Sequence, residues 1–333
     1  MISIGEYTTF KLPTRAQNMI VFQGGDIVEF FKQIPNDNHV FVLGGGSNII
    51  LPPELPNTTV IKIANKGIEI LSEDEKNAII KVASGEVWDD VVAWSVSKNL
   101  AGIEALSAIP GTTGGTPIQN VGAYGSEIKD TLLYVEAYDI GKKEVAVIQN
   151  AECGFAYRTS KFKTKWKHKF LVTHIVLKLS KDSPRIPDYK GVKDYFKNLN
   201  ITNPTLTQIR NTITEIRWAK LPHPEDVPNC GSFFENPIVS NEEYKNLKVT
   251  WPDMPNFPVE NNKVKIPAGW LIEHAQMKGA DFGSVGTYEK NALVLINKGS
   301  ATQKDVINAR NKIIEKVYQK FGITLESEPE IVT

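Results

Sequence analysis

Residues 109–125 read Ile109-Pro110-Gly111-Thr112-Thr113-Gly114-Gly115-Thr116-Pro117-Ile118-Gln119-Asn120-Val121-Gly122-Ala123-Tyr124-Gly125. Glycine at 111, 114, 115, 122 and 125 costs chain entropy and leaves little room for a regular element. A long irregular segment inside a compact domain is usually functional. Its small side chains let the backbone lie flat against a planar or phosphorylated ligand. Thr112, Thr113, Gln119 and Asn120 add hydrogen-bonding groups to that surface.

A second glycine run stands upstream, Gly44-Gly45-Gly46-Ser47-Asn48, directly after the apolar strand-like stretch 39–43. Three glycines allow a sharp turn whose N–H groups face an anion. No Lys-Ser/Thr follows, so this is not a Walker loop, and the GxGxxG spacing is missing as well. A plain tight turn explains this run alone equally well.

Outward from the two loops, alternation predicts strands at 19–24, 39–43, 59–63, 67–71, 78–83, 132–140, 143–149 and 170–179. Asp26 is placed to cap a short helix bearing Ile27, Phe30, Phe31 and Ile34. Val87, Val91 and Trp94 give 86–98 a helical period. Two prolines and several charges near 181–191 predict a domain junction. Beyond it, helices are expected at 205–218, at 267–277 with Pro267 as the first helical residue, and after Thr302. The last carries Val306, Ala309, Ile313, Val317 and Phe321 on one face, with Thr302 and Asp305 as a capping box and Gly322 as the stop. Residues 292–296 predict a buried strand. The expectation is an α+β chain of two domains, 1–183 and 184–333, strand-rich and then helix-richer. A length of 333 residues at ~150 per domain agrees.

Composition narrows the function. Lys+Arg and Asp+Glu both number 38, so a nucleic-acid partner held by bulk positive charge is not expected. The alternating lysines of 161–169 are read as a solvated strand face. The apolar fraction of 41% supports a large core. Cys153 and Cys230 make no disulfide framework and fit a reducing compartment; with five scattered histidines, the chain offers no metal cluster. No signal peptide and no membrane span is expected, which points to the cytoplasm.

The pair LGGGSN and IPGTTGGTPIQNVGAYG resembles the flavin-binding half of the UDP-N-acetylenolpyruvoylglucosamine reductases. The resemblance continues in order through Tyr157-Arg158-Thr159-Ser160, Lys220-Leu221-Pro222 and Gly231-Ser232-Phe233-Phe234-Glu235-Asn236-Pro237. It then runs through Ala268-Gly269-Trp270-Leu271-Ile272 and 292–297 to Leu325-Glu326-Ser327-Glu328. Each motif alone is modest, whereas the ordered set is specific and spans nearly the whole chain. It implies a two-lobed FAD-binding part like that of the vanillyl-alcohol-oxidase flavoproteins, followed by a substrate-binding domain. The implied reaction uses NADPH to reduce an enolpyruvyl ether to a lactyl ether, giving UDP-N-acetylmuramate for peptidoglycan. That step serves cell-wall biogenesis, and with it cell shape and division.

The resemblance assigns FAD contacts to Gly44, Gly45, Gly46, Ser47, Asn48, Pro110, Gly111, Thr112, Gly114, Gly115, Gln119, Asn120, Gly122, Ala123, Tyr124 and Gly125. No histidine falls in these loops, so FAD is expected to be non-covalent. Arg158 matches a catalytic arginine, suited by its fork of donors to a carboxylate. Ser232 matches the proton donor, and Glu328 the C-terminal glutamate. Glu326 and Glu330 lie two residues either side of Glu328 and would share its side of a strand, so the register stays open. Tyr157, Tyr189, Lys220, Asn236 and Lys278 fall on substrate positions, with Tyr189 in the loop that covers substrate in the type I branch. Phe257 departs from the tyrosine that type I members can carry in this stretch. The expected partners are the enolpyruvyl nucleotide and NADPH, with no obligate protein partner. The competing reading keeps the fold and makes the chain an FAD-dependent oxidase of a small alcohol or sugar.

Overall fold

A computed structural model describes residues 1–35 and 38–333. The chain divides into two compact units, neither continuous in sequence. One comprises Met1–Ile2, Ala16–Gly45 and Pro56–Ala219; the other comprises Ser3–Arg15, Gly46–Leu55 and Lys220–Thr333.

The first unit is built on two sheets. Its larger sheet has the order Glu144–Gln149, Leu132–Asp139, Phe170–Ser180, Asn77–Ala83, Ile68–Glu73, every neighbour antiparallel. Val82, Ile175 and Val135 lie opposite one another across three of these strands and are wholly buried. The helix Trp88–Ser97 lays Trp88, Val91 and Val92 on this core, and the Trp88 indole donates to the Leu106 carbonyl at 3.0 Å. Most of these β-branched residues are the ones whose alternation predicts the strands.

The smaller sheet has the order Ile2–Ser3, Arg15–Phe22, Glu54–Ile63, His39–Leu43, and its last pair is parallel. The helix Ile27–Phe31 begins as expected: the Asp26 carboxylate accepts from the Val28 and Glu29 amides. It packs with Phe22, Ile61 and Ile63 against Tyr138 and Leu171 of the larger sheet. The predicted junction at 181–191 leads into two helices, Lys190–Asn198 and Leu206–Lys220. Val192, Phe196, Ile209 and Ile213 from this pair pack with Ala105 in the first unit.

In the second unit, Asn229–Ser232, Asn291–Asn297 and Val285–Tyr288 form an antiparallel sheet. The helix Gln303–Phe321 buries Val306, Ala309, Ile313, Val317 and Phe321 in the same core. Thr302 and Asp305 form its capping box, and Gly322 closes it in the left-handed conformation at φ 69.

Three local expectations change. The helix near 267 is short, Ala268–His274; Pro267 is its cap instead of its first residue, and the chain has left the helix by Gln276 at φ 60. Residues 161–168 form turns and no strand. Their lysines have individual jobs there: Lys161 lies over the Trp166 ring and Lys163 donates to the Arg158 carbonyl. The segment 324–329 is no regular strand, so alternation does not place Glu326 and Glu328 on one side.

Candidate active site

In the first unit the two glycine loops meet. The strand His39–Leu43 ends at Gly44, where a Cβ would stand 2.7 Å from Thr112 Oγ1. One on Gly45 would stand 2.6 Å from Gly111 Cα, inside any real contact distance. The Gly45 amide donates to Thr112 Oγ1 at 3.1 Å. Glycine is required here by close approach of two backbones.

The second loop is pinned on its far side by the turn after the strand Asn77–Ala83. Gly114 donates to the Ser84 carbonyl at 2.9 Å, Thr113 to Glu86 at 2.8 Å, and Trp88 to Gly111 at 3.0 Å. A Cβ on Gly114 would strike Ser84. Gly115 is the contrast: it is exposed, and a Cβ there would meet nothing within 4 Å. Its backbone is therefore open to a ligand. The Ser84 hydroxyl is buried without a hydrogen-bond partner among the described residues. Apposed glycine turns, open backbone and an orphaned hydroxyl fit the phosphate and ring edges of a dinucleotide such as FAD.

Farther along, Gly122–Ala123 pairs with Ser126–Glu127 around a tight turn. Tyr124 at φ 51 and Gly125 at φ 88 supply its two left-handed residues. A Cβ on Gly125 would come within 3.2 Å of the Asp188 carbonyl, and the Tyr124 ring meets Tyr189 edge-on at 5.1 Å. The loop thus touches the segment that carries Tyr189. Arg158, itself left-handed at φ 53, stacks 5.2 Å from the Tyr157 ring; its Nη1 lies 3.1 Å from where a Gly122 Cβ would be. Asn120 is fully buried. Its amide nitrogen donates to Glu127 and to the Ala156 carbonyl, and its oxygen accepts from the Lys129 amide. Both of its side-chain N–H groups are committed to the protein.

In the second unit, Gly46 has φ 63, and a Cβ would collide with the Tyr7 carbonyl. Asn48 donates to the Glu328 carbonyl at 3.3 Å. Ser232 ends the strand Asn229–Ser232 opposite Val294, after a register shift that includes left-handed Gly231. Such a bulge re-aims the residue that follows it. The Glu328 amide donates to the Phe233 carbonyl at 2.9 Å, and Glu235 to that of Glu326 at 3.0 Å. Burial first, and then the Glu328 charge, push the Cys230 thiol far up. Glu328 is half-buried beside the Ser232 strand, whereas Glu326 is exposed.

The helix Ala268–His274 positions two more residues. Asn236 accepts from the Ala268 amide at 2.9 Å, and Lys278 pairs with Glu273 at 2.8 Å. Lys220 is exposed at the end of its helix. Phe257 is 45% exposed beneath the Lys265 ammonium.

Sequence reasoning missed Ser84 and Lys62. The Lys62 ammonium donates to the Gly44 carbonyl, and burial, then Lys66, hold it below its usual range. Its strand pairs in register with the one that delivers the first loop, Leu43 opposite Lys62, which only the topology reveals. Among the described residues no group of three or more His, Cys, Asp or Glu could hold a metal, and no helix is long and apolar enough to cross a membrane.

The fold and the paired loops define an FAD-binding flavoprotein, and residues 25–146 match the family described as FAD binding domain. Residues 223–332 match the UDP-N-acetylenolpyruvoylglucosamine reductase C-terminal domain. The reductase of Flavobacterium johnsoniae is 39% identical over 99% of this chain and 98% of its own. That of Polynucleobacter asymbioticus is 42% identical over 87% and 83%. The crystal structure of the Thermus caldophilus enzyme has the same fold, with TM-score 0.68 at 22% identity, over 100% of this chain and 98% of that one. The chain belongs to the UDP-N-acetylenolpyruvoylglucosamine reductase family.

Proposed function

We propose that this protein reduces UDP-N-acetylglucosamine enolpyruvate to UDP-N-acetylmuramate in the cytoplasm, with non-covalent FAD as cofactor and NADPH as hydride donor. The observation that supports it best is the meeting of Gly45 with Gly111 beside the open backbone of Gly115. Residues 1–183 supply the flavin-holding part and 184–333 the substrate-binding part; Tyr189 belongs to the latter by role although it packs on the flavin loop. The cradle for FAD comprises Gly44 to Asn48, Pro110 to Gly115, Gln119 and Gly122 to Gly125, with Asn120 ordering the turn. Bound there, FAD would supply two-electron hydride chemistry between NADPH and C3 of the enolpyruvyl group.

The protein's own groups handle charge and the proton. Hydride arrival leaves an enolate-like charge shared with the carboxylate. Arg158 takes that carboxylate with its forked donors, and the Tyr157 ring steadies the guanidinium. Ser232 gives its hydroxyl proton to C2. A serine is a weak acid, so it needs a strongly basic acceptor or a relay behind it. Glu328, held beside the Ser232 strand by the hydrogen bond from its backbone N–H to the Phe233 carbonyl, serves that relay. Lys220 meets the diphosphate as a point charge, Asn236 and Lys278 anchor the sugar nucleotide, and Tyr189 covers it.

The test is an absorbance spectrum taken anaerobically. The purified protein is expected to be yellow, to bleach with NADPH and to recolour when the enolpyruvyl nucleotide is added. A colourless protein, or a bleached flavin that recolours only with oxygen, would overturn the reading. Bleaching by a simple alcohol would favour an oxidase.

A further inference from the structure

Ala108 stands immediately before the loop Ile109–Gly125 and has φ 58, a left-handed conformation that an alanine side chain disfavours. Such outliers persist only where surrounding groups impose them. Here both faces of the residue are gripped. The Ala108 amide donates to Asp89 Oδ1 at 2.6 Å, and its carbonyl accepts from Arg217 Nε at 2.9 Å. Asp89 is fixed in turn by Arg210, whose two terminal nitrogens meet its two oxygens at 2.6 and 2.8 Å. Asp89 lies in the helix Trp88–Ser97; Arg210 and Arg217 lie seven residues apart in the helix Leu206–Lys220. Burial pushes the Tyr124 hydroxyl, near the far end of the loop, above its usual range, and the Arg217 charge works against that rise.

We propose that Arg217, backed by the Arg210–Asp89 pair, is a positioning residue that holds Ala108 left-handed and so presets the flavin loop before FAD arrives. This rests on the reading of Ile109–Gly125 as the flavin loop. Without the brace, Ala108 relaxes to an ordinary conformation, and FAD must drive it back. The apparent affinity then falls by the fraction of chains still in the competent form. For a single left-handed non-glycine residue that fraction is about one in ten.

The decisive pair is Arg217→Met and the double variant Arg217→Met/Ala108→Gly. Glycine adopts positive φ without cost, so it restores the preset loop with no brace present. FAD binding is measured by quenching of flavin fluorescence on titration into flavin-stripped protein, alongside amide hydrogen exchange across 109–115. Arg217→Met is expected to weaken FAD about 10-fold and to speed exchange in the loop, and adding Ala108→Gly is expected to recover most of both. Unchanged affinity in Arg217→Met, or a loss that Ala108→Gly does not recover, would overturn the proposal. If neither the wild-type protein nor the variants bind FAD, the flavin reading itself fails, which is a distinct result.

Discussion

The loop at 109–125 and the strand at 229–232 are both proposed to carry chemistry, but they are held in place by opposite means. The loop has little ladder of its own. Its geometry comes from outside, through backbone contacts with Gly45 and Ser84 and through side chains from two helices. The strand is held by pairing with Asn291–Asn297, and a single bulge aims Ser232. In the loop, function is spread over backbone that side chains would obstruct. At the strand it is concentrated in one hydroxyl. Substitutions should therefore act through shape at the first region and through chemistry at the second.

The largest effect should come from adding a side chain to the loops, and two glycines separate shape from ligand contact. Gly115→Val points into open space and should leave the unfolding midpoint of the flavin-stripped protein unchanged while abolishing FAD binding. Gly45→Val runs into Gly111 and should lower both, with an overpacking cost of about 1–3 kcal/mol. Calorimetry with flavin quantitation checks this. Full flavin occupancy in both variants would contradict the placement of the cofactor.

A smaller loss is expected at Lys220, an exposed point charge outside both regions. Lys220→Ala should weaken the enolpyruvyl nucleotide by about 2 kcal/mol, roughly 30-fold, while NADPH still bleaches the flavin normally. Titration of the nucleotide against the flavin spectrum decides; unchanged affinity would remove Lys220 from the diphosphate.

The smallest effect concerns the brace. Burial works to raise the Asp89 carboxyl, but the Arg210 and Ala108 hydrogen bonds outweigh it and hold the group below the usual carboxylate range. A depressed native pKa stabilises the fold above the unfolded value, near 4, and that contribution is lost as pH falls through the native one. Asp89→Asn should cost about 1 kcal/mol at pH 7, a figure kept low by its partial exposure, and should flatten the fall in unfolding midpoint between pH 5 and pH 3. Parallel acid limbs for the two proteins would contradict it.

The two regions also differ in how far the sequence reveals them. Glycine spacing at 44–46 and 111–125 exposes the loops because it is legible in the chain itself, although a plain tight turn explains the first run alone equally well. The Thr302 capping box and the five-residue apolar stripe behind it mark the last helix for the same local reason. The brace stays hidden: Asp89 and Arg210 are 121 residues apart, and each alone looks like an ordinary charge on a helix. Lys62 reaches Gly44 only because two strands pair in parallel. The short sheet Ile238–Ser240, Lys263–Lys265, Phe257–Val259 has strands too brief to alternate visibly. The partners of the Asn120 side-chain amide, Glu127 and Ala156, come from a turn and from a segment 36 residues away, so no local spacing reveals them.

The proton at C2 is the step that most directly tests the division between shape and chemistry. In Ser232→Ala, stopped-flow absorbance with the two substrates added in turn separates the halves of the reaction. Bleaching by NADPH needs no proton at C2 and should run at the wild-type rate. Recolouring by the enolpyruvyl nucleotide should slow by about 10²–10⁴-fold, the range of a positioned acid, and Ser232→Cys should recover part of it. Recolouring of Ser232→Ala at the wild-type rate would contradict the assignment and move the proton to Glu328 or to water.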